Sequence, residues 1–250
     1  MRQVVIGIQA RMGSLRLPGK VMKDLDGLPM VVQMARRVAR ARNAGPVVII
    51  TSMRPENDVI VDSALRAGVR TYRHPDEPDM LGQFLGLCST TGSDAMIRVT
   101  GDCPLVDPIE VDRVVTLAGD WCDYCSNVWP RRTYPDGLDI EYFSRECLEQ
   151  VARWLLMGHD SRETPNVWLW DHFPRFRVGC LMHEEDLSAI RWTVDTQEDL
   201  DLVRRIWSRM RNGFTWGEIP PEFFREKTTG YYRPPVAPQD LPVDVWRVGP

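Results

Sequence analysis

Arg11, Arg16 and Lys20 fall within one short stretch, Gln9-Ala-Arg-Met-Gly-Ser-Leu-Arg-Leu-Pro-Gly-Lys20, which also holds Gly13 and Ser14. Three cations, a hydroxyl and a glycine that lets backbone approach closely are the parts of a cradle for phosphate oxygens. The stretch is neither a G-x-G-x-x-G dinucleotide fingerprint nor a Walker A loop, because five residues separate Gly13 from Gly19-Lys20 and Val21 stands where Ser or Thr belongs. Far along the chain, Asp102 and Asp195 each come just after a strand-like run, 95–100 and 190–194. Both are expected at C-terminal strand ends, where open α/β sheets bind their ligands. Two carboxylates beside a phosphate-binding loop suit Mg2+, which takes one or two carboxylates and completes its octahedron with phosphate oxygens and waters. Plainer readings exist for each: Asp195 as an acid favoured by a helix N-terminus, Asp102 as a turn residue before Cys103-Pro104.

The elements that must position these groups alternate. Apolar runs predict strands over 3–9, 47–52, 69–72 and 94–100, and helical spacing predicts helices over 29–42, 55–67 and 79–88. Asp107-Pro108-Ile109-Glu110 opens a further helix, with an Asp N-cap, Pro at the first position and Glu completing a capping box. Strand, crossover helix and strand in repetition predict a mostly parallel central sheet with helices on both faces. The second half reads less regularly, with strands over 137–142, 175–180 and 190–194 and helices over 144–157 and 164–172. Thr196-Gln-Glu-Asp199 is a capping box for a last helix running to about residue 210. We expect one domain over 1–230 and, from its five prolines, a tail without its own core over 231–250.

The loop and the downstream segment Leu25-Asp-Gly-Leu-Pro-Met30 resemble the N-terminal signature of the sugar-nucleotide cytidylyltransferases. Ile8-Gln-Ala-Arg-Met-Gly-Ser14, Arg98-Val-Thr-Gly-Asp-Cys-Pro-Leu105, Tyr134-Pro-Asp-Gly-Leu-Asp-Ile-Glu141 and Val194-Asp-Thr-Gln-Glu-Asp-Leu200 resemble the SpsF-like, spore-coat polysaccharide branch of that family, in the same order. The resemblance implies an α/β, Rossmann-like GT-A nucleotidyltransferase fold that binds CTP and Mg2+ and transfers CMP to an acceptor with release of pyrophosphate. It implies that Ile8, Gln9, Ala10 and Thr100 meet the cytosine, and that Arg11, Met12, Gly13, Ser14, Arg16 and Lys20 surround the triphosphate. Asp102 and Asp195 would hold the metal, and Arg11, Lys20, Asp102 and Asp195 would form the catalytic set. In many relatives Gln stands at the position of Thr100.

Around Asp136, Gly137, Asp139 and Glu141 three carboxylates surround a turn and a strand. Strand alternation would put Asp139 and Glu141 on one face, as a clasp for the hydroxyl or amine groups of an acceptor, or they belong to a solvated hairpin. His159-Asp-Ser-Arg162-Glu163-Thr-Pro is similar to a family segment, and Arg162 could grip an acceptor carboxylate or phosphonate bidentately. The expected acceptor is therefore a small acid. Two other classes fit parts of the sequence: a GT-A glycosyltransferase using a nucleotide sugar, and a non-catalytic nucleotide-binding subunit.

Charge distribution agrees with a small polyanionic ligand. Residues 1–42 hold nine Lys/Arg against two Asp/Glu, although the whole 250-residue chain is net −4. A basic front on an acidic protein argues against a nucleic-acid partner. No run approaches the length that spans a bilayer and none reads as a signal peptide, so we expect a cytoplasmic protein. The six scattered cysteines are expected as free thiols, and Cys122-Asp-Tyr-Cys125 lacks the second pair of a zinc set. Nine tryptophans leave a homodimer open, through Trp121, Trp129, Trp168 or Trp170.

Overall fold

The structure, a computed structural model, describes residues 2–155, 169, 175–210 and 213–224. Strands β1 (Val4–Gln9), β4 (Val47–Ser52), β5 (Arg70–His74) and β6 (Ala95–Thr100) form the first part of a seven-stranded sheet. β1 is central, parallel to β4 on one side and β6 on the other, and β5 extends β4 in parallel. A two-strand ribbon, β2 (Asp24–Leu25) and β3 (Leu28–Pro29), comes after the loop and leads into α1 (Met30–Val38). The sheet continues as β8 (Glu141–Ser144), β7 (Tyr124–Ser126) and β9 (Val178–Cys180), and β8 runs antiparallel to both β6 and β7. The predicted mostly parallel α/β fold is thus observed, with one reversed strand that the sequence pattern did not announce.

Helices cover both faces because each inner strand is apolar on both. Val4, Ile6 and Ile8 of β1 join the cluster built with α1, α4 (Pro108–Ala118) and α6 (Gln197–Met210). Val5 joins the opposite cluster, with α3 (Met80–Thr91) and α5 (Arg145–Leu155). Gly7 sits on that second side, where an added Cβ would lie 2.6 Å from Ile50 Cδ1 and 2.9 Å from Leu87 Cδ2. α2 (Asp58–Arg66) packs beside β5.

Several expected boundaries move. The strand expected from 137 begins at Glu141, because the preceding chain is held as a loop by Asn127, which donates to Leu138 O and accepts from the Ile140 amide. The run 190–194 makes a single bridge, Asp136 to Arg191, instead of a strand. Asp107 does cap α4, accepting from the Ile109 amide at 2.8 Å, but Glu110 does not close a box. Its buried carboxylate instead accepts from Tyr134 Oη and Trp216 Nε1, both at 2.9 Å. The box at α6 is present, with Thr196 N donating to Asp199 Oδ2 and Asp199 N to Thr196 Oγ1. Trp129 is only 2% exposed, which removes it as a dimer surface; Trp168 and Trp170, the expected helix over 164–172 and the tail lie outside the described residues. No helix among the described residues is long and apolar enough to cross a membrane.

Candidate active site

At the C-terminal edge of β1, β4 and β6 a cleft of about 740 Å3 opens. Gln9, Ala10, Arg11, Gly13, Ser14, Arg16, Lys20, Thr100, Asp102 and Asp195 all line it. Its floor is set by two backbone fastenings: Gly101 N donates to Gln9 O at 2.8 Å, and Val194 N donates to Asp102 O at 2.8 Å. The second brings together two segments 92 residues apart, so that Asp102 and Asp195 reach one cation. Lys20 Nζ donates to Asp102 Oδ2 at 2.9 Å, Asp195 Oδ1 at 3.0 Å and Val194 O at 2.9 Å. Burial opposes the lysine's charge, but the two carboxylates outweigh it and raise the ammonium above its ordinary value.

Asp195 is the more enclosed acid, its side chain 5% exposed against 27% for Asp102. Arg16 meets its Oδ1 at 2.9 Å and Arg191 its Oδ2 at 2.6 Å. Arg191 also donates to Asp199, whose other oxygen accepts from the Asp195 and Thr196 amides. Burial works against ionisation of Asp199, yet those amides and Arg191 hold its carboxyl below the usual range. Arg191 escaped the sequence reading, although it lies four residues before Asp195, and Asp199 was read only as the closing acid of a capping box.

The loop itself is braced from within. Met12 N donates to Asn57 Oδ1, while Met12 O accepts from Ser14 N and Gly19 N. Met12 therefore shapes the turn and does not line the cleft; Ile8 is wholly buried between its neighbouring strands and does not line it either. Arg11, 64% exposed, reaches Glu77 at 3.3 Å. Glu77 also accepts from Ser52 and Asn57, and these bonds, with the nearby Arg54, overcome its burial and hold it below its ordinary 4.5. A carboxyl depressed on folding stabilises fully above its unfolded value and loses that contribution as pH falls through the folded one. Glu77→Gln is accordingly expected to flatten the loss of stability below about pH 4.5, read from urea unfolding at pH 3 to 6. An added Cβ on Gly13 meets nothing within 4 Å, so the fold leaves room there that a ligand can use. Gly13→Ala should fold normally and weaken binding of inorganic triphosphate in the cleft about tenfold, equal to ~1.4 kcal/mol, as read by titration calorimetry.

A polar chain that sequence reading missed runs across the inner wall. Glu77 O accepts from Gln83, Gln83 Oε1 accepts from Gln9 Nε2, and Gln9 Oε1 accepts from Arg98 Nε at 2.6 Å. Arg98 ends on Glu141, whose second oxygen accepts from Tyr124 Oη at 2.7 Å. Burial opposes the charge of Arg98, and Glu141 more than restores it. Glu141 is therefore a partner of Arg98, and it does not line the cleft. Nor do Asp136, Gly137 and Asp139. Asp136 accepts from Thr193 Oγ1, Gly137 packs so tightly at φ +112° that an added Cβ would lie 2.8 Å from Thr193 N, and Asp139 takes a two-pronged pair from Arg132 at 2.6 and 2.8 Å. Arg162 and Glu163 lie outside the described residues.

A largely parallel sheet, a basic loop after its first strand and two acids converging on that loop define a Rossmann-like nucleotidyltransferase fold. Comparison with known proteins narrows the class. Residues 4–119 match the family model "Cytidylyltransferase". The spore coat polysaccharide biosynthesis protein SpsF of Bacillus subtilis (strain 168) is 27% identical over 98% of this chain and 100% of its own. The 3-deoxy-manno-octulosonate cytidylyltransferase of Methylibium petroleiphilum is 38% identical over 45% of this chain and 42% of that protein. A solved cytidylyltransferase from Leptospira borgpetersenii serovar Hardjo-bovis (strain JB197) superposes with a TM-score of 0.83 at 27% identity, covering 93% of this chain and 100% of the other. Over residues 4–119 the chain is similar to the cytidylyltransferases, and its likeness to SpsF covers 98% of this chain and all of that protein.

Proposed function

We propose that the chain transfers CMP from CTP to an acidic acceptor, a sugar acid or a related acid such as a phosphonate, and releases pyrophosphate. The observation that carries this reading is the Lys20 ammonium held between Asp102 and Asp195 on the wall of a cleft that Arg11 and Arg16 also line. The names of the relatives support the cytidine base. An acceptor oxygen attacks the α-phosphorus, a new oxygen–phosphorus bond forms as the bond to the bridging oxygen breaks, and pyrophosphate leaves with the electron pair. The proton of the attacking hydroxyl passes to solvent. Arg11, Arg16 and Lys20 neutralise the triphosphate and the leaving group, in a site preorganised by the two backbone fastenings of its floor.

The donor set fits Mg2+: two carboxylates, one just after β6 and one just before α6, the first of them open to the cleft. Asp102 and Asp195 would hold the ion, which would supply Lewis-acid stabilisation of the phosphoryl oxygens. Phosphate oxygens compete for Lys20 and Arg16, and so release Asp102 and Asp195 from their present partners. Gln9, Arg98 and Thr100 line the cleft beside the loop and are assigned to the nucleoside. A cytoplasmic setting agrees with the described cysteines, all free and buried.

The test is purified protein with Mg2+, each of the four nucleoside triphosphates and a panel of keto-sugar acids, phosphonates and sugar phosphates, monitored for pyrophosphate. Acceptor-dependent release with CTP is expected; release with UTP and none with CTP would overturn the base assignment. Asp102→Asn should cut kcat about a hundredfold while shifting the thermal midpoint little, since that side chain is partly exposed and bonded mainly through Lys20.

A further inference from the structure

We propose a second anion site, distinct from the nucleotide cleft, that takes a phosphoryl group between α1 and the end of α6. A cavity of about 440 Å3 lies there and shares no lining residue with the cleft. Arg36 and Arg40 line it from exposed positions and Arg37 from the interior, against a single lining acid, the exposed Asp26. The acid nearest Arg37 is already committed: Asp107 accepts from Ile109 N and Trp216 N, and its Oδ2 stands 3.7 Å from Arg37 Nη2, beyond hydrogen-bond range.

Arg37 is the core of the argument. Its side chain is 3% exposed, its Nε donates to Val106 O at 2.9 Å, and its guanidinium lies over the Phe214 ring with Cζ 4.1 Å from the centroid. Its Nη2 is buried and has no hydrogen-bond acceptor among the described residues. Trp207 Nε1, on a second residue lining the same cavity, is likewise buried without an acceptor among them. A buried donor left unmade costs about 1–3 kcal/mol, so two such donors on residues that line one cavity favour an oxygen-bearing ligand over an apolar one once a side-chain shift opens them to it. Burial and the neighbouring Arg40 lower Arg37 to about 10 in spite of Asp107, which marks its charge as incompletely matched. A phosphoryl dianion offers three terminal oxygens to three guanidinium groups and an indole N–H, and planar arginine forks match that geometry.

The test uses full-length protein labelled with 15N and titrated with inorganic phosphate at constant ionic strength. The Trp207 indole resonance is identified by its loss in Trp207→Phe. It should shift saturably with phosphate in the wild type and equally in Asp102→Asn, where the nucleotide cleft is altered. In Arg36→Ala/Arg40→Ala, both surface changes, phosphate affinity at Trp207 should fall at least about tenfold while CMP transfer is unchanged. A Trp207 resonance that does not saturate, or that saturates identically in the double variant, overturns the site. So does a shift abolished by Asp102→Asn, which would trace it to the cleft.

Discussion

Lys20→Met should lower CMP transfer by about a hundred- to thousandfold, the loss seen when one preorganised charge donor is removed from a reacting phosphoryl or acyl centre. The expected size comes from what the ammonium does. It bonds both Asp102 and Asp195, and it ties them to Val194 O as well. Without it a neutral side chain stands between the two carboxylates, and Asp102 loses its bond from the ammonium at 2.9 Å. The kinetic constants separate the two roles of the lysine: lost neutralisation of the triphosphate raises the KM for CTP, whereas lost clamping of Asp102 and Asp195 lowers kcat. Steady-state pyrophosphate release measures both, and activity within threefold of wild type would refute the role. Lys20→Arg should recover little, because a planar fork cannot place one nitrogen against three acceptors.

The second large effect is on stability. Arg98→Met strands Glu141, whose side chain is 5% exposed, with Tyr124 as its remaining described donor among those bonds. Breaking a buried pair on one side costs about 3–5 kcal/mol, which for a chain of this size lowers the thermal midpoint by about 10 °C. Arg98→Met combined with Glu141→Leu should regain most of that loss, since the uncompensated charge is then gone. Calorimetry of the two variants decides the matter: equal destabilisation in single and double variants would show that packing around β6 and β8 dominates, and not the stranded carboxylate. Nucleotide affinity should stay low in both, because Gln9 loses its bond from Arg98 Nε in each.

What was legible in the sequence was local. The strands β1, β4 and β6 announce themselves by apolar runs, β5 only by its place after the helix stop at Gly68, and Asp107 and Thr196 mark helix starts with side chains that bond amides two or three residues on. The convergence of Asp102 and Asp195 was legible only in part: Asp102 does follow a sheet strand, but 190–194 makes a single bridge, and Asp195 is brought to the same edge by the bond from Val194 N to Asp102 O. Partners distant in sequence were not legible. Nothing in Glu110 distinguishes a capping acid from one buried under Tyr134 and Trp216, the second of which lies more than 100 positions away. Strand alternation puts Glu141 on one face with Asp139, as a clasp for an acceptor; the reversal of β8 against β6 sets it opposite Arg98 instead and closes it off. The acceptor side of the site suffered most, being made of loops whose geometry is fixed by contacts and not by periodicity.

The fit of Gly7 beneath Ile50 and Leu87 fixes more than packing. Side chains leave a strand on alternate sides, so one residue inserted between Val4 and Gln9 would swap the halves of the core and deliver the basic loop rotated to the wrong side. A slip of two keeps the sides but drives Val5 or Gln9 into a gap that tolerates no Cβ. Aim therefore resides in the phase of β1, whereas the segment after Ala10 can change composition without being redirected. Any redesign of ligand choice in this chain has its freedom downstream of that strand and, within it, only at the cleft-lining Gln9.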